Sequence, residues 1–174
     1  MDVKDAIKAR RSIRKFTGEV SDDLVKELAE AARLAPSGSN VQPTRLFFIR
    51  DGGIKRKLEA EEAFEQDFVH KAPLIIVFSG NPNDYETSYP GLAGKGRERT
   101  LRDVTIASSF VVLRATELGL SSCWVGLIDP GVIKRVLEIP SEHIIPFVLC
   151  IGKAGERPGL LKRKTTGEII SGDV

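Results

Sequence analysis

Two short segments near the start of the chain hold the residue types that bind anions and flat polar ligands. Arg10-Arg11-Ser12-Ile13-Arg14-Lys15-Phe16 gathers guanidinium groups, an ammonium group and a hydroxyl in one stretch. Forked guanidinium donors match phosphate oxygens, and the hydroxyl can add a polyol contact. One helix later comes Pro36-Ser37-Gly38-Ser39-Asn40-Val41-Gln42-Pro43, a small-residue loop with hydroxyl and amide groups. Such a loop lets backbone come close to a flat ligand. Taken singly, the first segment also reads as a solvated basic helix end, and the second as a helix terminator before a strand. The apolar Ile13 and Phe16 inside the basic run, and the two segments together, point to a phosphorylated cofactor.

Other chemistries leave no pattern. The chain has no phosphate loop ending in Gly-Lys-Ser/Thr, and Gly91, Gly94 and Gly96 stand in the wrong context for a dinucleotide fingerprint. His70 and His143 lack ligand-spaced companions, so no metal site is expected. Ser37, Ser39, Ser121 and Ser122 form no nucleophile elbow. Cys123 and Cys150 fit neither a metal spacing nor a redox pair, and read as buried thiols in a reduced cytoplasm.

The chain that must position these groups has 174 residues, enough for a single domain over 1–174 with a substantial core. Hydrophobic residues make up 41% and charged residues 29%, the balance of a globular protein. Lys and Arg number 26 against 24 Asp and Glu; a net charge of +2 is too small for a nucleic-acid or membrane partner. The basic groups are local instead, at 10–15, 97–102 and 162–164. No apolar run is long enough to cross a bilayer, and Met1 to Asp5 carries no secretory pattern, so a cytoplasmic location is expected.

Periodicity predicts helices over Val3–Ala9, from the N-cap Ser21 to a stop at Pro36, and over Ile54 to about His70. It predicts a long helix from Leu101 to Leu118, apolar on several faces, and a helix started by Asp129-Pro130 and running through Leu137. Buried strands are predicted over Arg45–Arg50, Leu74–Ser79, Ser121–Gly126 and Ile144–Ile151. Gly80 to Thr100 reads as a long polar loop of the kind that forms lids, and the tail after Gly152 as basic and extended. Strands separated by helices or long loops favour a layered α/β sandwich.

The ordered set Arg-Arg-Ser-x-Arg-x-Phe, then Pro-Ser-x-x-Asn-x-Gln-Pro before a strand, resembles the FMN-dependent nitroreductase family. Leu118-Gly119-Leu120-Ser121-Ser122-Cys123-Trp124-Val125-Gly126 resembles that family's helix end and strand beside the flavin, and Lys162-Arg163-Lys164 with Glu168-Ile169-Ile170 its closing segment. The resemblance implies an α+β fold, a three-layer α/β/α sandwich with a central, mostly antiparallel sheet. It also implies a homodimer that exchanges its C-terminal strand and holds FMN at the subunit interface.

By position, the resemblance puts Arg10, Ser12 and Arg163 on the FMN phosphate or ribityl chain, with Arg11 close by. Thr165-Thr166-Gly167-Glu168 departs from the family's usual Pro-Leu-Glu-Glu, which keeps Lys162 and Lys164 as alternatives to Arg163. Arg14 would lie near the N1–O2 edge and stabilise the reduced flavin. Pro36, Ser37, Gly38 and Asn40 would come from the other subunit, and the backbone of Gly126 and Leu127 would face N5 and O4. Tyr85, Tyr89, Lys95, Arg97 and Arg99 are candidate lid residues.

The implied activity is ping-pong electron transfer from NAD(P)H through FMN to a small-molecule acceptor such as a nitroaromatic or quinone. Alternatives on the same scaffold are a specialised reductive dehalogenase, an enzyme that consumes its own flavin, or an FMN carrier without turnover.

Overall fold

The computed structural model describes residues 1–88, 91 and 94–172. Five strands form one sheet: β1 (Phe16–Thr17), β2 (Thr44–Ile49), β3 (Leu74–Gly80), β4 (Ser121–Val125) and β5 (Ile144–Ala154). Its path runs β1-β5-β3-β2, with β4 also paired to β5, and every pairing between these strands is antiparallel. β5 is the spine, bonded to β3 along one edge and to β4 and then β1 along the other.

Helices cover both faces, and the alternation of side chains along the strands decides which residue meets which layer. Ile75 and Val77 of β3, with Cys123, Val125, Val148 and Cys150, pack under α3 (Gly52–Ala60) and α6 (Pro130–Leu137) around Leu58 and Ile133. Leu74, Ile76 and Phe78, with Leu149 and Ile151, pack under α2 (Asp22–Arg33) and α5 (Gly96–Glu117) around Leu28, Val104 and Val111. All of β3 is buried because helices lie on both of its faces. The fold is therefore α+β in three layers, the arrangement the resemblance implied.

The caps read from sequence are in place. Ser21 Oγ accepts from the Leu24 amide at 3.4 Å, and Asp129 Oδ1 accepts from the Gly131 and Val132 amides at 2.8 and 3.0 Å beside Pro130. α1 covers Val3–Ala9 as predicted.

Three expectations need correction. The helix expected over Ile54 to His70 starts at Gly52 and stops at Ala60, because Glu62 turns into the left-handed region (φ 56°). The chain then pairs with the segment after β4 instead: Asp129 N–H donates to Ala63 O at 2.9 Å, Glu65 N–H donates to Leu127 O at 3.3 Å, and Phe64 bridges Ile128. The polar stretch 80–100 is not one loop; it holds α4 (Asn83–Ser88) and the first turn of α5. The tail contains a helical turn, α7 (Thr166–Ile169), closed by a Thr165/Glu168 capping box, where an extended segment was expected.

The strand at Ser121 ends at Val125, one residue before Gly126. Cys123 and Cys150 prove to be opposite partners on β4 and β5, both free and buried; burial pushes both thiols up. Among the described residues, no helix is long and apolar enough to cross a membrane.

Candidate functional site

The basic segment is stitched to the ends of two strands. Its backbone leaves α1 at Arg10, forms a parallel bridge from Ser12 to Ser122, and donates from Ile13 N–H to Ser122 O at 3.0 Å. Ile13 is buried, so its neighbours Ser12 and Arg14 turn outward. Glu156, just past β5, then clamps the segment: its Oε1 accepts from the Arg14 amide at 2.6 Å and from the Lys15 amide at 3.1 Å. Nothing in the sequence singled out Glu156 except that it is an acid between the basic Lys153 and Arg157.

These backbone bonds, the one to Arg14 first, hold the Glu156 carboxyl below its ordinary range. The folded chain thus binds this proton less tightly than the unfolded chain. The stabilisation is complete above the ordinary glutamate range and fades as acid titrates the folded carboxyl. Glu156→Gln is expected to lower the thermal midpoint at pH 6 to 7, with the gap to the parent closing towards pH 3. A gap of constant size across that range would rule out the clamp.

The segment faces a cavity of about 650 Å³ whose wall includes Arg10, Arg11, Ser12, Arg14 and Arg163. Of the three tail cations, Arg163 lines it, while Lys162 and Lys164 do not. Among the described residues none of the four guanidinium groups forms an ion pair with a carboxylate. Arg11 is turned back, its Nη1 donating to the Lys8 and Arg10 carbonyls at 2.5 and 2.7 Å. Arg10 and Arg163, beside the Ser12 hydroxyl, suit a phosphate dianion, and Arg14, whose charge also feels Glu156, adds a third guanidinium to the same cavity.

Gly126 and Leu127 lie at the far end of β4, both exposed. Gly126 is four residue steps beyond Ser122, about 13 Å at roughly 3.3 Å per strand residue. A Cβ on Gly126 would meet nothing within 4 Å, so packing inside this chain does not require glycine there. The Leu127 carbonyl is taken by Glu65, whereas its N–H has no acceptor among the described residues. β4 therefore runs between a phosphate-type donor set and an open backbone, a layout for an elongated ligand.

The second predicted segment sits elsewhere. Pro36 and Ser37 line a cavity of about 260 Å³ with Gln42, Arg45 and Asp103, and it shares no wall residue with the cavity at Arg10. The loop makes a tight turn over Gly38–Asn40, and Ser39, Asn40 and Gln42 have φ of 50°, 56° and 53°. Three non-glycine residues in the left-handed region store strain that the surroundings must hold. The Ser37 Oγ contributes by accepting from the Gln42 amide at 2.9 Å.

The candidate lid residues divide. Tyr85 is buried, and its hydroxyl donates to Asp103, so it is an anchor and not a mobile side chain. Arg99 stacks over the Tyr85 ring at 5.7 Å. Lys95 precedes α5, Arg97 borders a separate cavity of about 220 Å³ with Lys134 and His143, and Tyr89 lies outside the described residues. Sequence reading missed Asp103, which in the middle of α5 has the look of a solvated helix charge.

The model of the Nitroreductase family matches residues 7–63 and 54–153. An NADH dehydrogenase of Thermus thermophilus is 31% identical over 182 residues, covering 90% of this chain and 88% of its own. A solved nitroreductase family protein from Clostridium difficile is 27% identical with a TM-score of 0.82, covering 100% of this chain and 99% of its own. The NADPH:FMN oxidoreductase of Vibrio harveyi, solved in complex with NAD+, shares the fold at a TM-score of 0.86 and 22% identity, covering 99% and 77%. The chain belongs to the nitroreductase family, and it is an oxidoreductase.

Proposed function

We propose that this chain is an NAD(P)H-dependent FMN oxidoreductase that works as a cytoplasmic homodimer and reduces small-molecule acceptors, nitroaromatics or quinones among them, by ping-pong exchange. The observation that carries the reading is the pairing along β4 of a guanidinium set free of ion pairs among the described residues with the open backbone at Gly126 and Leu127, in a chain of this family. FMN, when bound, supplies the two-electron chemistry, accepting from the reduced nicotinamide and passing electrons to the acceptor.

The chain's own residues bind, orient and tune. Arg10, Ser12 and Arg163 hold the phosphate end, with Arg11 fixing the local backbone through its carbonyl contacts. Arg14, its amide secured by Glu156, sets a positive charge beside the pyrimidine edge of the ring. The Leu127 amide is available to the ring's acceptor atoms, its position fixed by the bonds just after it, from Glu65 to the Leu127 carbonyl and from Asp129 to Ala63.

Two observations support a dimer. Pro36 and Ser37 stand apart from the phosphate cavity of their own chain, as they must if they cover the flavin of a partner. Val3 and Ile7 on α1, Leu34 just past α2 and Phe110 on α5 are exposed, and Leu160, Leu161, Ile169 and Ile170 leave an apolar tail uncovered. Exposed apolar surface on this scale fits an obligate interface with tail exchange. The tail would cross as a segment containing α7 within the described residues, since Asp173 and Val174 lie outside them.

The visible spectrum of the purified protein, followed anaerobically as NADH or NADPH is added, tests the reading. Flavin bands bleached by either nucleotide are the expected result. Bands that neither nucleotide bleaches would favour a carrier, and a protein that stays colourless with added FMN would reject the assignment.

A further inference from the structure

The buried carboxylate of Asp103 meets two elements at once. One of its oxygens accepts from the Gly38 amide at 3.3 Å, and the other accepts from the Tyr85 hydroxyl. That hydroxyl also lies 3.1 Å from the Gly38 carbonyl, so the carboxylate and the Gly38 peptide enclose it. Asp103 is 2% exposed and Tyr85 0%. A carboxylate taken this far from water is tolerated only when its oxygens are satisfied, here by one donor from the loop and one from α4. Arg102, half in solvent, adds a weak contact at 3.8 Å from Nε. Burial, and then the bond to Asp103, pushes the tyrosine up to about 12, so it keeps its proton and stays a donor.

Shape adds a second constraint. A Cβ on Gly38 would come within 2.6 Å of the Tyr85 hydroxyl oxygen and 3.2 Å of Arg102 Nη2. The arginine end can swing away, whereas the tyrosine is packed on all sides. Glycine at 38 is therefore set by Tyr85 and not by the need to approach a ligand. The strained residues Ser39, Asn40 and Gln42 follow directly, and the clamp holds the start of that turn.

We infer that Tyr85 and Asp103 are positioning residues, which bolt the Pro36–Pro43 loop through Gly38 to α4 and α5 and so hold the cofactor loop in its strained conformation. The inference rests on the reading of that loop as a flavin cover. α4 also reaches the neighbourhood of the loop's far end, where Asn81 N–H donates to Pro43 O at 3.4 Å and Asp84 pairs with Arg45 at 3.6 Å, so Tyr85 and Asp103 secure its near end at Gly38. Asp103 acts through Gly38, and Tyr85 through both; neither touches the reacting atoms.

The test is a mutant cycle on the holo-protein, read by the rate at which FMN fluorescence recovers after dilution and by the visible circular dichroism of the bound flavin. Tyr85→Phe keeps the ring and loses the hydroxyl; flavin release is expected to speed up about fivefold, the worth of roughly one hydrogen bond. Gly38→Ala is expected to speed it at least tenfold more than that, because the added methyl group strikes the hydroxyl. In the chain carrying both changes the methyl group has room, and release should return to about the Tyr85→Phe rate. Asp103→Asn, which retains an acceptor for the Gly38 amide, should lose less than Asp103→Ala.

An alanine penalty at 38 of equal size with and without the tyrosine hydroxyl would overturn the inference. If the parent chain holds no FMN, the functional reading fails, and thermal midpoints of the same four chains judge the clamp alone. There the Gly38→Ala loss vanishes in the Tyr85→Phe background if the clamp exists, and persists if it does not.

Discussion

Arg14→Ala is expected to weaken binding of the reduced flavin ten- to a hundredfold more than binding of the oxidised flavin. The reduced ring carries negative charge at its pyrimidine edge, and the oxidised ring does not, so a nearby guanidinium favours one redox state. A unit pair about 4 Å apart is worth about 4 kcal/mol at an effective dielectric of roughly 20. Arg14 is exposed in the single chain, which trims that value through solvent screening. A tenfold difference in affinity corresponds to about 30 mV for a two-electron couple, so the potential should fall by about 30–60 mV. Redox titration against a dye of known potential reads this directly. Equal loss for the two states would remove Arg14 from its role and leave it a phosphate-side contact only.

The second large effect concerns stability. Phe78 is fully buried in β3, sits opposite Phe147 of β5 in register, and has its ring centroid 5.7 Å from that of Phe147. It packs in the layer beneath α5 with Val104 and Val111. Phe78→Ala removes most of an aromatic side chain from a site walled by sheet and helix, which cannot collapse to fill it. The expected cost is about 3–5 kcal/mol, a large share of the roughly 5–15 kcal/mol typical of a domain. At about 2–4 °C per kcal/mol for a chain of this size, the thermal midpoint should drop by about 6–20 °C. A drop of under about 2 °C would contradict the packing described for β3.

Local chemistry was readable where it is decided locally. Ser21, Asp129 and Pro130 announce helix starts because a cap acts within one turn, and Leu74 to Phe78 announces a strand with both faces covered. What failed was decided at a distance. Leu58, Ala63 and Phe64 keep a helical rhythm past Ala60, yet the backbone at 63–65 finds its partners at 127–129 and leaves the helix.

The site divides in the same way. Arg10, Ser12 and Arg14 form a visible cluster, and Arg163 joins their cavity from the far end of the chain. Glu156 and Asp103 were illegible because a lone acid shows its purpose only when the amides it accepts from are in place. The tail reads as extended because its helical signal, the Thr165/Glu168 capping box, governs a single turn in an otherwise basic, irregular segment.

The central place of β5 has a consequence for how the molecule is made. Its partners β1, β3 and β4 all precede it, so the middle of the sheet has an open edge until the chain has been synthesised through Ala154. The N-terminal basic segment waits as well, since Glu156 secures it and β1 pairs with the last residues of β5. Contacts that join residue 16 to residue 154 raise the contact order and slow the folding search. During translation the basic arm thus emerges well before β5 and is among the last parts to be placed. A nascent chain on the ribosome has no finished basic cavity until it has been made through Arg163.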